Sequence, residues 1–210
     1  MIGTGDSFGT QGGTVRLKTH GSTVLILLTL STACGAGGST APATPAGPFQ
    51  PTMVTFSDLT SEGVAVASYD ESGVRILPRS GSWQAGANYG NPRPFIRFRA
   101  EAGTTTVGEL QVTAGGALFS FQSIDLYAST TPIPYVITGL RASSSRPTDL
   151  RGATPVFTMT GTVPNTFGNF RTVSNPSATA QIDILKITLT NPAAPCCGNP
   201  MGVDNIALGK

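Results

Sequence analysis

Beyond residue 51 apolar and polar residues alternate with a period of two over short runs, and no stretch of ten or more spaces its apolar positions at helical intervals. The alternation predicts strands at Met53 to Phe56, Val64 to Tyr69, Val74 to Leu77, Pro94 to Arg99, Thr106 to Thr113 and Ala117 to Tyr127. Further strands are predicted at Tyr135 to Leu140, Val156 to Thr160, Phe170 to Val173, Gln181 to Thr190 and Val203 to Leu208. Gly or Pro punctuates nearly every gap. In Phe95-Ile96-Arg97-Phe98-Arg99 the pattern buries Ile96 and Phe98 and turns Arg97 and Arg99 outward, as in a half-buried antiparallel strand.

Two of the longer segments change phase partway. Phe119 and Phe121 share one face while Ile124 and Leu126 share the other; Ile182 and Ile184 are likewise out of step with Leu185, Ile187 and Leu189. Such a slip marks a bulge or a strand that crosses from one sheet to the other at a corner. Corners of this kind belong to jelly rolls, and the Cys, Trp, Cys spacing of an immunoglobulin domain is missing. The predicted fold is an all-β, antiparallel jelly-roll β-sandwich over residues 52–210.

Composition agrees. Charged residues make up 11% of the chain, with 26 glycines and 16 prolines, which suits short strands joined by tight turns. The 160 residues from Pro51 to Lys210 suffice for one core burying about 70% of the unfolded surface.

Residues 1–33 have a different character. Arg16 and Lys18 precede an apolar run, Val24 to Leu30, and small residues then lead to Ala33, the three parts of an export signal. The run is shorter than the about 20 residues a membrane span requires. Ser31-Thr32-Ala33-Cys34, followed by Gly-Ala-Gly-Gly-Ser, resembles the bacterial lipoprotein signal, although that family usually has Leu where Ser31 stands. The resemblance implies lipid modification of Cys34 and a protein of the cell envelope or extracellular surface; cleavage with free secretion and a buried structural cysteine are the alternatives. Residues 34–51 hold four prolines and one large apolar side chain, Phe49, and are expected to form a flexible, disordered linker.

Without the leader's Arg16, Lys18 and Asp6 the chain keeps 11 basic and 10 acidic residues. No electrostatic case for a nucleic-acid partner survives that balance. The one histidine, His20, lies in the leader, so the exported part has no imidazole for a Ser-His-Asp or Cys-His catalyst or for a His-based zinc site. Carboxylates, Arg and Tyr remain, enough in principle for a glycosidase-type pair, but no spacing singles one out. The chain is therefore read as a non-enzyme, with no catalytic residue assigned.

Four blocks carry a wider resemblance: Tyr89-Gly90-Asn91-Pro92-Arg93-Pro94-Phe95-Ile96, Phe119-Ser120-Phe121-Gln122-Ser123-Ile124-Asp125-Leu126-Tyr127, Pro134-Tyr135-Val136-Ile137-Thr138-Gly139 and Gly202-Val203-Asp204-Asn205-Ile206-Ala207-Leu208. They are similar to bacterial extracellular sandwich domains related to galactose-binding-like carbohydrate modules, often found in surface proteins with a C-terminal PEP sorting signal. The Pro-Glu-Pro signal itself is missing before Lys210. The resemblance implies a surface binding or structural domain.

Three candidate sites follow. The segment Ser80 to Pro94 gathers Trp83, Asn88, Tyr89, Asn91 and Arg93 among glycines. Aromatic faces that stack on the C–H face of a sugar, with amide and guanidinium groups for its hydroxyls, suit a glycan; Trp83 is equally readable as a core side chain at a strand end. Asp58 and Glu62 near the first strand, with Asp204 and Asn205 in the last, offer hard oxygen ligands for a structural Ca2+, or serve only as turn and cap residues. Cys196 and Cys197, adjacent, close as a vicinal disulfide, remain reduced, or bridge to another molecule. The expected function is a lipid-anchored surface binding module for carbohydrate. A structural or adhesive surface protein is the second reading, a carboxylate-based glycan-active enzyme the third.

Overall fold

The computed structural model describes residues 48–100, 103–129, 131–143, 150–164, 169–192 and 199–210. Cys34, Cys196, Cys197 and the leader lie outside the described residues. Thirteen strands run in chain order: β1 (Thr52–Val54), β2 (Tyr69–Glu71), β3 (Val74–Ser80), β4 (Gln84–Gly86), β5 (Phe95–Ala100), β6 (Thr106–Thr113), β7 (Phe119–Ala128), β8 (Ile133–Arg141), β9 (Thr154–Val163), β10 (Arg171–Ser174), β11 (Gln181–Ile182), β12 (Ile184–Asn191) and β13 (Asn199–Gly209). No helix occurs among the described residues.

The strands form two antiparallel sheets, the expected all-β sandwich. Sheet A has the order β10-β7-β13-β5-β4, with β1 on β13 and β11 on β7; sheet B has the order β2-β3-β6-β12-β8-β9. First and last strands are thus neighbours, Thr52 opposite Leu208 and Val54 opposite Ile206. The inward residues of both sheets meet in one core that includes Phe98, Phe119, Phe121, Leu126, Ile137 and Ile187. Burying each such side chain contributes roughly 1.5–3 kcal/mol.

The phase changes are resolved as corners and bulges. At Asp183 the chain leaves sheet A, where Ile182 pairs with Phe119, and enters sheet B, where Ile184 pairs with Thr113 and Leu140. The chain therefore buries Ile182 and Leu185 in one core from two different sheets. In β7 both Phe121 and Ile124 are fully buried; between Ala207 and Leu208 the pairing with β13 shifts so that Gln122 of β7 is unopposed, and a second shift lies between Asp204 and Ala207, next to Asn205 at φ 45.

Two segments depart from the pattern. Only the end of the predicted strand Val64 to Tyr69 belongs to β2, because residues 63–66 instead cover the outer edge of β4: Ala85 O accepts from Gly63 N, Val64 O from Ala85 N, and Trp83 O from Val66 N. β4 itself escaped the pattern since Ala85 and Gly86 carry almost no side chain. The linker also ends earlier than expected: Phe49 is 9% exposed, its ring centroid 5.7 Å from that of Phe119, so the chain is already docked there.

Candidate functional site

The outward face of sheet A is set by parity. With Ile96 and Phe98 inside, Phe95, Arg97 and Arg99 point out; with Ile124 and Leu126 inside, so do Asp125 and Tyr127. Gly202 of β13 lies between these rows, paired with Arg97 on one side and Tyr127 on the other. A side chain on Gly202 would meet the Phe95 ring at 2.9 Å and the Phe170 ring at 3.1 Å. Gly86 and Gly90 are equally close to Phe95, at 2.6 and 2.7 Å. Three glycines thus form the seat for one ring.

Around Phe95 a second, outer aromatic cluster assembles. Phe170 stands edge-on at 5.1 Å, Tyr127 edge-on at 6.1 Å, and Tyr89 closes on Tyr127 at 6.1 Å. This cluster holds the segment 87–94 onto the sheet. Phe95 is fully buried although its side of the strand faces outward, because that segment covers it.

Polar contacts pin the segment at both ends. Glu62 Oε2 accepts from the amides of Ala87 (2.6 Å) and Asn88 (3.0 Å), and Oε1 receives Arg97 Nη2. Partial burial works against the Glu62 charge, but the Asn88 and Ala87 amides and Arg97 outweigh it and hold the carboxyl below its ordinary range. At the other end Asn91 bridges to Asn169, and Phe170 N donates to Asn91 O. The Asn91-Pro92 and Arg93-Pro94 bonds are cis. Arg93 Nη1 donates to Asn88 O.

Trp83 is the correction in this region. It is 2% exposed, tilted against Phe98 at 4.8 Å, and its Nε1 donates to Ser80 O at 2.9 Å. Its faces are spent on the core, so it offers no stacking platform. Tyr89 does present a surface: it is 50% exposed. Asn88, Asn91 and Arg93 are exposed beside it. Four of the five residues expected to form a binding surface therefore stand together, on a segment braced from below.

The residues expected to bind a cation are engaged differently, and Asp58 and Asp204 both lie near Glu71. Glu62 is the brace just described. Asp58 is exposed and accepts from Tyr69 Oη at 2.6 Å, while the same hydroxyl lies 3.0 Å from Glu71. Burial and these two carboxylates push the Tyr69 hydroxyl well above its ordinary value. Glu71 in turn accepts from Thr55 N and Phe56 N, clipping β2 to the chain after β1. Asp204 and Asn205 sit on β13 opposite Asp125, whose carboxylate accepts from Asn205 Nδ2 (2.8 Å) and Thr172 Oγ1 (2.6 Å). Among the described residues no three acidic, His or Cys side chains converge as cation ligands. Among the described residues a surface hollow of about 180 Å3 is lined by Asp58.

Tyr127, Phe95 and Phe170, which carry Tyr89, were not singled out in the sequence. For Phe95 and Tyr127 the signal was available: each lies out of phase with a buried apolar pair, Ile96 and Phe98 or Ile124 and Leu126, and a large aromatic on the solvent side of a strand asks for a cover; Phe170, ahead of β10, carried no such signal. The Tyr127 hydroxyl is fully buried beside Ser129 and Tyr89, and burial pushes it up to about 12.

No protein-family model and no curated protein matches the chain. Several solved structures resemble it in shape. A family 29 carbohydrate-binding module from Piromyces equi gives a TM-score of 0.42 at 13% identity, over 77% of this chain and 91% of its own. The module CBM27-1 of Caldicellulosiruptor saccharolyticus, solved with mannohexaose, gives 0.41 at 13%, over 77% and 97%. The K2 cleaved adhesin domain of Lys-gingipain gives 0.41 at 13%, over 76% and 98%. At these values the ligands of those proteins stay with them.

Proposed function

We propose that the chain is an exported cell-surface protein, tethered through a lipid on Cys34, whose sandwich serves as a non-catalytic carbohydrate-binding module. The contact surface is the segment Ala87 to Pro94. One observation supports this reading above the others: Tyr89 is half exposed on an otherwise buried aromatic cluster, with Asn88, Asn91 and Arg93 around it. An exposed ring held in one orientation gives a sugar's C–H face a partner at low entropic cost. Amide and guanidinium groups beside it donate to and accept from hydroxyls.

The test is a glycan-array screen of the full chain, followed by titration of any hit with the wild type and with Tyr89→Ala. Because half of the ring is solvent-exposed, the variant should keep its circular dichroism spectrum and melting temperature. Affinity should fall at least tenfold, corresponding to one stacking contact of about 1.4 kcal/mol. Binding that persists unchanged in a folded Tyr89→Ala protein, or no binding to any glycan, would overturn the assignment. Release of the full chain from membranes by a lipase but not by salt tests the anchor at Cys34.

A further inference from the structure

The four edges of the two sheets are not alike. β2 is three residues long and carries Asp70 and Glu71, the former ion-paired with Arg75. β4 is covered by residues 63–66. β10 is four residues long and begins with Arg171. These are the ordinary ways in which a sheet avoids pairing with another chain: short edges, charge, or a covering segment.

β9 has none of these three among the described residues, although Pro155 and a register shift at Val156 interrupt the start of its pairing. It is ten residues long, Thr-Pro-Val-Phe-Thr-Met-Thr-Gly-Thr-Val, without a charged side chain, and its single proline stands at its second position. It pairs with β8 along one side and has no strand on the other among the described residues. Val156, Thr158, Thr160 and Thr162 are exposed on the outer face, and Phe157 and Met159, whose faces turn toward the core, are only half-buried at its rim.

We infer that β9 is a self-association edge: two copies of this chain pair their β9 strands antiparallel, joining two six-stranded sheets into one. A second copy is favoured as the occupant because the strand is complementary to itself. A two-fold axis normal to the sheet keeps the faces continuous only if residue i meets a residue of the same parity. Centred on Met159, such an axis sets Thr158 against Thr160 of the second copy and Val156 against Thr162. On the inner face it sets Phe157, whose ring lies over Gly139, against Gly161, over which the Tyr135 ring lies. Shifting the axis by one residue either way still places Thr or Val against Thr or Val outside and brings no like charges together. Paired β-branched and Thr residues are favourable cross-strand neighbours, and the regular part of the ladder, Phe157 to Val163, closes about six backbone hydrogen bonds.

The test is sedimentation equilibrium on the purified full chain, with Thr160→Lys as the edge variant and Val136→Lys as its control. Val136 is exposed on the same face but one strand in, opposite Thr160. The wild type and Val136→Lys should sediment at twice the chain mass, and Thr160→Lys as a monomer with an unchanged melting curve below the dissociation range. Hydrogen exchange gives a second readout: alternate β9 amides, those directed away from β8, should be protected in the wild type and exposed in Thr160→Lys. A wild-type protein that remains monomeric, a dimer that Thr160→Lys leaves intact, or one that Val136→Lys disrupts equally would overturn the inference. A loss of fold in Thr160→Lys would leave the wild-type mass and the β9 exchange pattern to decide.

Discussion

Asp204 is 2% exposed, and its Oδ1 is buried without a partner. Burial raises its pKa to about 7; the Asn205 amide pulls it back, and the charges on Asp125 and Glu71 raise it further. An unfolded aspartate titrates near 3.9. Between about pH 4 and 7 the native chain therefore holds a proton that the unfolded chain has released. The stabilisation from this group is complete below pH 4, falls as pH rises and is lost above 7, on the order of 2–4 kcal/mol in all. Asp204→Asn keeps the shape and cannot ionise. Urea midpoints measured from pH 5 to 9 should fall for the wild type and stay flatter for the variant, which should be the more stable protein at pH 8.

At the scale of elements, the outer aromatic cluster couples the sheet to the contact segment. Gly202→Ala leaves the backbone of β13 undisturbed but drives a methyl into the Phe95 and Phe170 rings. It should cost about 1–3 kcal/mol as overpacking, read as a lower urea midpoint, and should weaken glycan binding although no contact residue has changed. Glu62→Gln removes the charge that holds the Ala87 and Asn88 amides and Arg97. Its effect should be about 1 kcal/mol at pH 7 and should vanish as the pH falls through the carboxylate range. That is because a depressed pKa stabilises fully above the unfolded value and the gain is lost as the pH falls through the lower folded value; urea midpoints measured from pH 7 downward through the carboxylate range show the convergence.

These elements also mark what period-two alternation can convey. The crossing at Asp183 was legible because Ile182, Ile184 and Leu185 are large and their faces unambiguous. β4 was not, since Ala85 and Gly86 have no face to read. The exposure of Asn88, Tyr89, Asn91 and Arg93 agrees with what their residue types suggest, but the place of Trp83 was left open, because the same indole suits a sugar or a core and only the position of Phe98 and Ser80 decides. For the expected cation set the difficulty is related: proximity of two strand ends in the fold does not by itself direct side chains toward one point. Asp58 and Glu62 are engaged by Tyr69 Oη and by the Ala87 and Asn88 amides, while Asp204 Oδ1 is buried without a partner.

For the whole molecule, the pairing of β1 with β13 has a mechanical consequence. The chain before Thr52 emerges at the end of the sandwich where Lys210 lies, with Phe49 docked beside it. A pull applied at Phe49 and resisted at Tyr89 is directed along the axis of β1. It loads the Thr52, Met53 and Val54 rungs in shear, all at once, instead of unzipping them one after another. The first strand is short, yet the fold is arranged so that tension reaches it in its strongest direction.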